Sequence, residues 1–322
     1  MSKDFLTYNQ QMKYLRDKKG IECKQTEDKV ILCKNGYFNL INGYKEPFIN
    51  GSNGSSYKYS NGTSIKEIYQ VKKFDDELRM LLLKYITKVE EEVRTLVGYK
   101  FDEVNNKGKI EWYSVNAYDI SRETKKIVQV ISDSFQEINR SEQKYIKHYF
   151  DKYKYVSTWI LVKVIKFSTF INFVDFSKKD VKKSICNLYG IKDKNNNDDF
   201  TLLKGSLHWL RKVRNSCAHN ERVYGIKREG KRIKTIYHNS LAKSYDRERD
   251  QKLIDLIIYM RFYLDNKDFK KFATEIKDLL QDLKSNINSS AFDKVRADMG
   301  IKDLIHLDRL ISMKKDIKYH KF

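Results

Sequence analysis

Residues that reverse a chain are scarce here: one proline, Pro47, and 13 glycines in 322 residues. A many-stranded sandwich or barrel needs more punctuation than that, so a mainly α-helical fold built from long helices is expected. Cysteine is scarce as well. Cys23, Cys33, Cys186 and Cys217 show no C-x-x-C spacing, which excludes a disulfide scaffold. With six histidines they form no metal-ligand pattern, so no metal and no cofactor is expected. No apolar run reaches about 18 residues, so no membrane span is expected. The opening MSKDFLTYNQQMKYL lacks the apolar stretch of a signal peptide. Together these features predict a reduced, cytoplasmic protein. No P-loop, dinucleotide fingerprint or G-x-S-x-G motif occurs.

Acidic residues are also in deficit, 43 Asp and Glu against 64 Lys and Arg, for a net charge of +21. Such a surface repels itself, and polyanions relieve it; phosphate backbones are the first candidates, since each Lys or Arg on a phosphate releases a counterion. The charge is concentrated. Between Lys204 and Lys252 stand 14 Lys and Arg against five acids, a local net of +9, which favours a site over a general bias of composition. Apolar residues at 40% and aromatics at 13% suffice for a real core.

Along the chain, residues 4–19 and part of 28–43 read as helices. The stretch NGSNGSSYKYSNGT at 50–63 reads as a flexible loop and the best internal boundary. Phe74, Leu78, Leu82, Ile86, Val89, Val93 and Leu96 recur at steps of three and four, one apolar stripe of a helix of about 25 residues. On its flank Glu90 and Arg94 stand four apart, acid before base, a spacing that by itself reads as a solvated pair. Further helices are expected near 123–138, 141–153, 156–174, 178–189 and 200–222, then two within 250–285. Residues 225–238 read as a basic loop or hairpin and 286–322 as a polar tail with weak helical content. The expected division is an N-terminal helical extension at 1–63, a helical-bundle domain at 64–285 and the C-terminal tail at 286–322.

On a helical wheel of 200–222, Leu203, Ser206, Val213 and Cys217 fall within about 60° of Leu210, a buried stripe. Arg214 falls at its edge, while Arg211, Asn215, Arg222 and His219 lie roughly 100–180° around. A basic and amide face thus ends in one histidine. Metal-free RNA cleavage by 2′-hydroxyl attack needs a base for that hydroxyl and an acid for the departing 5′-oxygen, and histidine serves both near neutral pH. Arginine offers a permanently charged fork for the phosphate oxygens. An amide such as Asn215 can orient the imidazole or the phosphate. By spacing alone, a surface histidine beside arginines remains the competing reading. His208 could face RNA but reads rather as a structural surface histidine, and His238 reads as a loop residue without a visible partner.

The segment KVRNSCAHNERVY at 212–224 resembles the R-N-x-x-A-H-x-x-R-x-[YW] signature of the Abi-like abortive-infection proteins of the AbiD/AbiF type. These are HEPN ribonucleases, whose R-x4-6-H motif is here Arg214–His219. LCKNGYFNLINGYKEPF at 32–48, FDDELRMLLLKYITKVEEEVRTLVGY at 74–99 and YIKHYFDKYKYVSTWILVKVIKFSTF at 145–170 resemble further blocks of that family in order. Val156 and Ser157 stand where the family often has prolines, and Ser168 where it often has glycine. The resemblance implies a helical HEPN core and an endoribonuclease that needs no metal and leaves 2′,3′-cyclic phosphate and 5′-hydroxyl ends. It also implies a homodimer in which two motifs face each other, and a phage-defence toxin, in some cases restrained by a structured non-coding RNA. The family's acidic residue maps to Glu90.

The expected catalytic set is therefore Arg214, Asn215, His219 and Glu90. The expected RNA-binding set is Arg211, Arg222, Arg94, Lys227, Arg228, Lys231, Arg232 and Lys234, with RNA and a second copy of the chain as partners and no membrane. Two other readings stay open: a non-catalytic protein that forms a ribonucleoprotein with a structured RNA, and a protein-binding regulator.

Overall fold

The structure, a computed structural model, describes residues 5–53, 56–153, 155–229, 233–239, 241 and 250–313. Its helices run in the order α1 (Tyr8–Lys19), α2 (Thr26–Asn35), α3 (Ile65–Val104), α4 (Thr124–Asn139), α5 (Lys144–Tyr153), α6 (Thr158–Val164), α7 (Phe167–Phe176) and α8 (Lys179–Tyr189). Then follow α9 (Phe200–Ala218), α10 (Ile236–Asn239), α11 (Leu253–Tyr263), α12 (Asn266–Asn286), α13 (Ser289–Asp298) and α14 (Ile305–Ser312). The expected mainly α-helical bundle is what the described residues form, and no described helix is long and apolar enough to cross a membrane.

Helix α3 is the axis. Its 40 residues exceed the expected 25 because the apolar stripe extends both ways, through Ile65, Ile68 and Val71 before Phe74 and through Val97 and Phe101 after Val93, all buried. It starts where Ser64 and Glu67 exchange hydrogen bonds in a capping box (3.1 and 3.2 Å), which satisfies two of the orphan donors of its first turn. Around it pack α6, α8, α9 and α12. The crossing with α6 is close: a Cβ on Gly98 would lie 3.1 Å from Val162 and 3.5 Å from the Trp159 Cα. A Cβ there would oblige the Val162 side chain to give way.

Three expectations change. Within 50–63, read as loop, lie most of two paired antiparallel strands, β1 (Ile49–Asn53) and β2 (Ser56–Tyr59). The helix expected over 156–174 is two, because Ile165 and Lys166 adopt extended backbone (ψ 144° and 152°) between α6 and α7. In the basic segment 225–238, read as a loop or hairpin and described except for residues 230–232, Arg228 pairs its backbone with Gln251 (2.9 and 3.1 Å), and Ile233 lies so close to Gly205 of α9 that a Cβ there would stand 2.3 Å from its Cδ1. Finally, much of 286–322 is no polar tail: α13 and α14 bury Phe292, Val295, Leu307 and Leu310. Residues 314–322 lie outside the described residues.

Candidate active site

Helix α9 carries Arg211, Arg214 and Asn215 and is capped by His219, and its end is fixed by backbone geometry. The stripe Leu203, Ser206, Leu210, Val213 and Cys217 is buried, as its wheel predicts. The helix stops at Ala218 with His219 as its cap, four residues short of expectation. Asn220 takes a left-handed conformation (φ 60°), its N–H donates to the Cys217 carbonyl (3.2 Å) and the Glu221 N–H to the Ser216 carbonyl (2.9 Å). That pair of bonds is a Schellman motif, which ties off the last carbonyls of a helix. The Ser216 hydroxyl adds a bond to the Glu221 carboxylate (2.7 Å).

The chain beyond the turn is anchored to α3. Asp75, fully buried, accepts from the N–H groups of Val223 (3.0 Å) and Tyr224 (2.8 Å), from the Tyr44 hydroxyl (3.0 Å) and from Arg79 (2.6 Å). Arg79 also donates to the Glu221 carbonyl (3.3 Å). Helix end and following segment are therefore both held, and His219 stands exposed at a fixed place. These anchors belong to the F-D-x-x-L-R block of α3, where the spacing shows an ion pair but not what it grips.

Two clefts flank the exposed face of α9. One, of about 510 Å³, brings His219 together with His208, Arg211, Lys212, Asn215, Ser216, Glu221 and Arg228. The other, of about 430 Å³, is lined by Glu90, Arg94, Lys163, Lys166, Arg211, Arg214 and Asn215 among others. Arg211 and Asn215 line both and form the ridge between them. Arg214 and His219 thus open into neighbouring clefts of one chain.

Glu90 and Arg94 form no solvated pair. The Glu90 Oε1 accepts from Arg94 Nε (3.0 Å) and Nη2 (2.7 Å), and both side chains are about nine-tenths buried. Glu90 Oε2 faces Arg214 Nε at 3.6 Å, so one carboxylate steadies two arginines. Arg94 also donates to the carbonyls of Val162 and Ile165 (3.0 Å for the latter) and lies over the Phe170 ring at 4.7 Å. It caps the broken end of α6, where carbonyls lack helical partners. Arg94, expected on the RNA backbone, lines the Arg214 cleft from a mostly buried position against Glu90 and the end of α6, and burial pulls its pKa down.

Arg214 keeps a 39% exposed side chain, and its Nη1 donates to Asn215 Oδ1 (3.3 Å). Arg228 reaches the cleft from the basic segment, donating to the Gly205 carbonyl (2.6 Å). Arg222 lines neither cleft: the helix ends before it, and its guanidinium donates to the Gly43 carbonyl (3.0 Å) beside the Tyr224 ring. Lys227 and Lys234 are exposed, Lys227 offering its carbonyl to the Lys212 ammonium. Lys231 and Arg232 lie outside the described residues.

His208, read as a surface histidine that could face RNA, shares the His219 cleft. Burial, then the charges of Arg211, Arg228 and Lys204, hold its pKa down at about 4, so it is a neutral donor and acceptor at pH 7. His238 corrects its expectation too. It is buried; its Nδ1 accepts from the Thr235 N–H (3.1 Å), so its Nε2 carries the proton and donates to Asp255 (2.9 Å), a lock between α10 and α11. Cys217 offers no nucleophile, because burial pushes its thiol up to about 12. Among the described residues, no group of His, Cys, Asp and Glu gathers that could hold a metal ion.

Residues 30–225, more than half of the chain and spanning α3 through the end of α9, match the family described as Abi-like protein. No curated protein and no solved structure matches the chain.

Proposed function

The chain belongs to the Abi-like protein family, a family of abortive-infection phage defence, and from that premise we propose that it is a metal-independent endoribonuclease of the HEPN type and the AbiD/AbiF kind. The observation that carries this reading is an exposed imidazole, His219, held at a locked helix end in a cleft walled by Arg211, Lys212 and Arg228, with Arg214 steadied by a buried carboxylate next to it. His219 exchanges protons with the attacking 2′-hydroxyl or the departing 5′-oxygen. Arg214 stabilises the phosphate oxygens as charge rearranges on them, and Asn215, bonded to Arg214 and bordering the His219 cleft, sets their relative aim. Glu90 acts through Arg214 and does not touch the phosphate. The products are a 2′,3′-cyclic phosphate and a 5′-hydroxyl. A homodimer that faces two α9 ends together supplies one copy's Arg214 to the other's His219, and a structured non-coding RNA in the same clefts restrains the toxin.

One observation favours a second reading. Arg214 and His219 of a single copy open into different clefts, as would suit a protein that grips a structured RNA without cutting it. The experiment is incubation with labelled RNA in EDTA. Cutting by the wild type, reduced about 10²- to 10⁴-fold in His219→Ala and in Arg214→Ala, is the expected result. Salt-sensitive binding with no cutting by any of the three is the ribonucleoprotein. No binding at all leaves the protein-binding regulator.

A further inference from the structure

The surface beside the Arg214 cleft is aromatic. Helices α3 and α6 run past each other so that Thr95 and Lys163 line a further cleft with Arg214, Arg94, Glu90 and Glu91. One turn on, Trp159 sits at the crossing, its Cα 3.5 Å from where a Cβ on Gly98 would be, and Tyr99 follows Gly98 in the chain four residues after Thr95. One turn is about 6 Å along a helix, so this second rung lies directly beside the first. Tyr99 is 61% and Trp159 51% exposed. The other two tryptophans, Trp112 and Trp209, are buried.

The aromatic surface continues onto α5. Trp159 meets Tyr149 edge to face (5.7 Å, 90°), and Tyr149 meets Tyr153 (5.5 Å), which is itself exposed. Ammonium groups sit among the rings: Lys152 lies 5.1 Å from the Tyr153 ring centre and Lys163 is exposed between this surface and Arg214, while Lys100, 5.3 Å from the Tyr99 ring centre, is paired with Glu103 (2.8 Å). Single exposed aromatics on a protein are ordinary. A run of them interleaved with lysines and continuous with a cationic cleft is the arrangement that holds single-stranded nucleic acid, the rings stacking on bases and the ammonium groups following phosphates.

We propose that Tyr99, Trp159 and Tyr153 form a stacking platform for the unpaired bases of an RNA strand whose backbone continues into the Arg214 cleft. This deepens the ribonuclease reading and rests on it: the platform makes the substrate single-stranded RNA, since a duplex offers no free base faces there. The occupant follows from charge. Lysines at the rings and the cleft beyond call for a polyanion with flat apolar groups, and an unpaired RNA strand is both.

The test uses the full-length His219→Ala protein, so that RNA survives, with an oligouridylate, free or annealed to its complement, as probe. Trp159 is the exposed tryptophan, so its long-wavelength emission is expected to be quenched by the single strand and not by the duplex. Trp159→Ala and Tyr99→Ala should each weaken single-strand affinity by roughly 5- to 100-fold, while Trp159→Phe keeps the affinity and loses the signal. Tight binding with unchanged emission and an unaltered Trp159→Ala affinity overturns the platform and leaves the ribonuclease reading standing. Emission that shifts with protein concentration and not with RNA also overturns it, because the rings then face a second copy. Failure to bind either probe removes both readings.

Discussion

Glu90 holds two guanidiniums at once, and that separates it from the many acid–base pairs on this surface. Exposed pairs contribute about 0–1 kcal/mol; the Glu90–Arg94 pair is about nine-tenths buried, where removing one partner strands the other charge. Spacing predicts the pair, but not that the break between α6 and α7 delivers carbonyls for Arg94 to cap. His208 shows the reverse case, a residue whose environment matters more than its position. Folding holds its pKa at about 4 against an ordinary value of 6.5, so the unfolded chain binds a proton there before the folded one does. The neutral imidazole's contribution to stability is therefore fully present above pH 6.5 and is lost as pH falls through 6.5 toward 4. A urea-midpoint profile over that range should fall less steeply for His208→Gln, which cannot take the proton, than for the wild type. Identical slopes would mean that His208 is protonated in the folded protein.

Elements were legible where a period was strong and uninterrupted. The stripe on α3 and the buried face of α9 follow from spacing alone, as do α4, α8 and the pair α11–α12 to within a few residues. Ends and breaks were not legible, because they depend on partners distant in sequence. The stop at His219 needs Asp75 and Arg79 from α3, and α13 and α14 needed a surface to bury Phe292 and Leu310 before their weak pattern meant anything. The α9 end gives a prediction at this scale. Asn220 holds a left-handed conformation that a residue with an ordinary Cβ adopts at a cost of about 1–2 kcal/mol, whereas glycine adopts it freely. Asn220→Ala should lower the denaturant-derived stability by about that much and reduce RNA cutting, since His219 precedes the turn. Asn220→Gly should retain both. Equal loss in the two variants would point to the Asn220 side chain and away from its backbone.

Taken as a whole, the molecule closes its C-terminal helices onto its N-terminal part: α13 packs on residues 46–48, Lys294 donates to the Ile49 carbonyl (2.6 Å), and Asn288 binds Glu67 at the start of α3 (2.9 and 3.0 Å). These contacts cross both expected boundaries of the division at 63 and 285. They leave the α9 ridge as the face where charge is concentrated and where Arg211 and Asn215 part the two clefts. A phosphodiester seated on one side of that ridge meets His219, and on the other Arg214. If two copies face each other across a two-fold axis, each copy's ridge aligns with its partner's, and an isologous contact joins unlike clefts. Mixing His219→Ala with Arg214→Ala protein after dissociation and reassociation should then restore cutting that neither variant shows alone, because a mixed pair holds one cleft with an intact arginine from one copy and an intact histidine from the other. Restored cutting should appear only at concentrations where sedimentation shows a dimer. Mixtures that stay inactive while dimers form would place both groups on the same phosphate within one copy, and Asn215, which borders both clefts, would be the residue across which they meet.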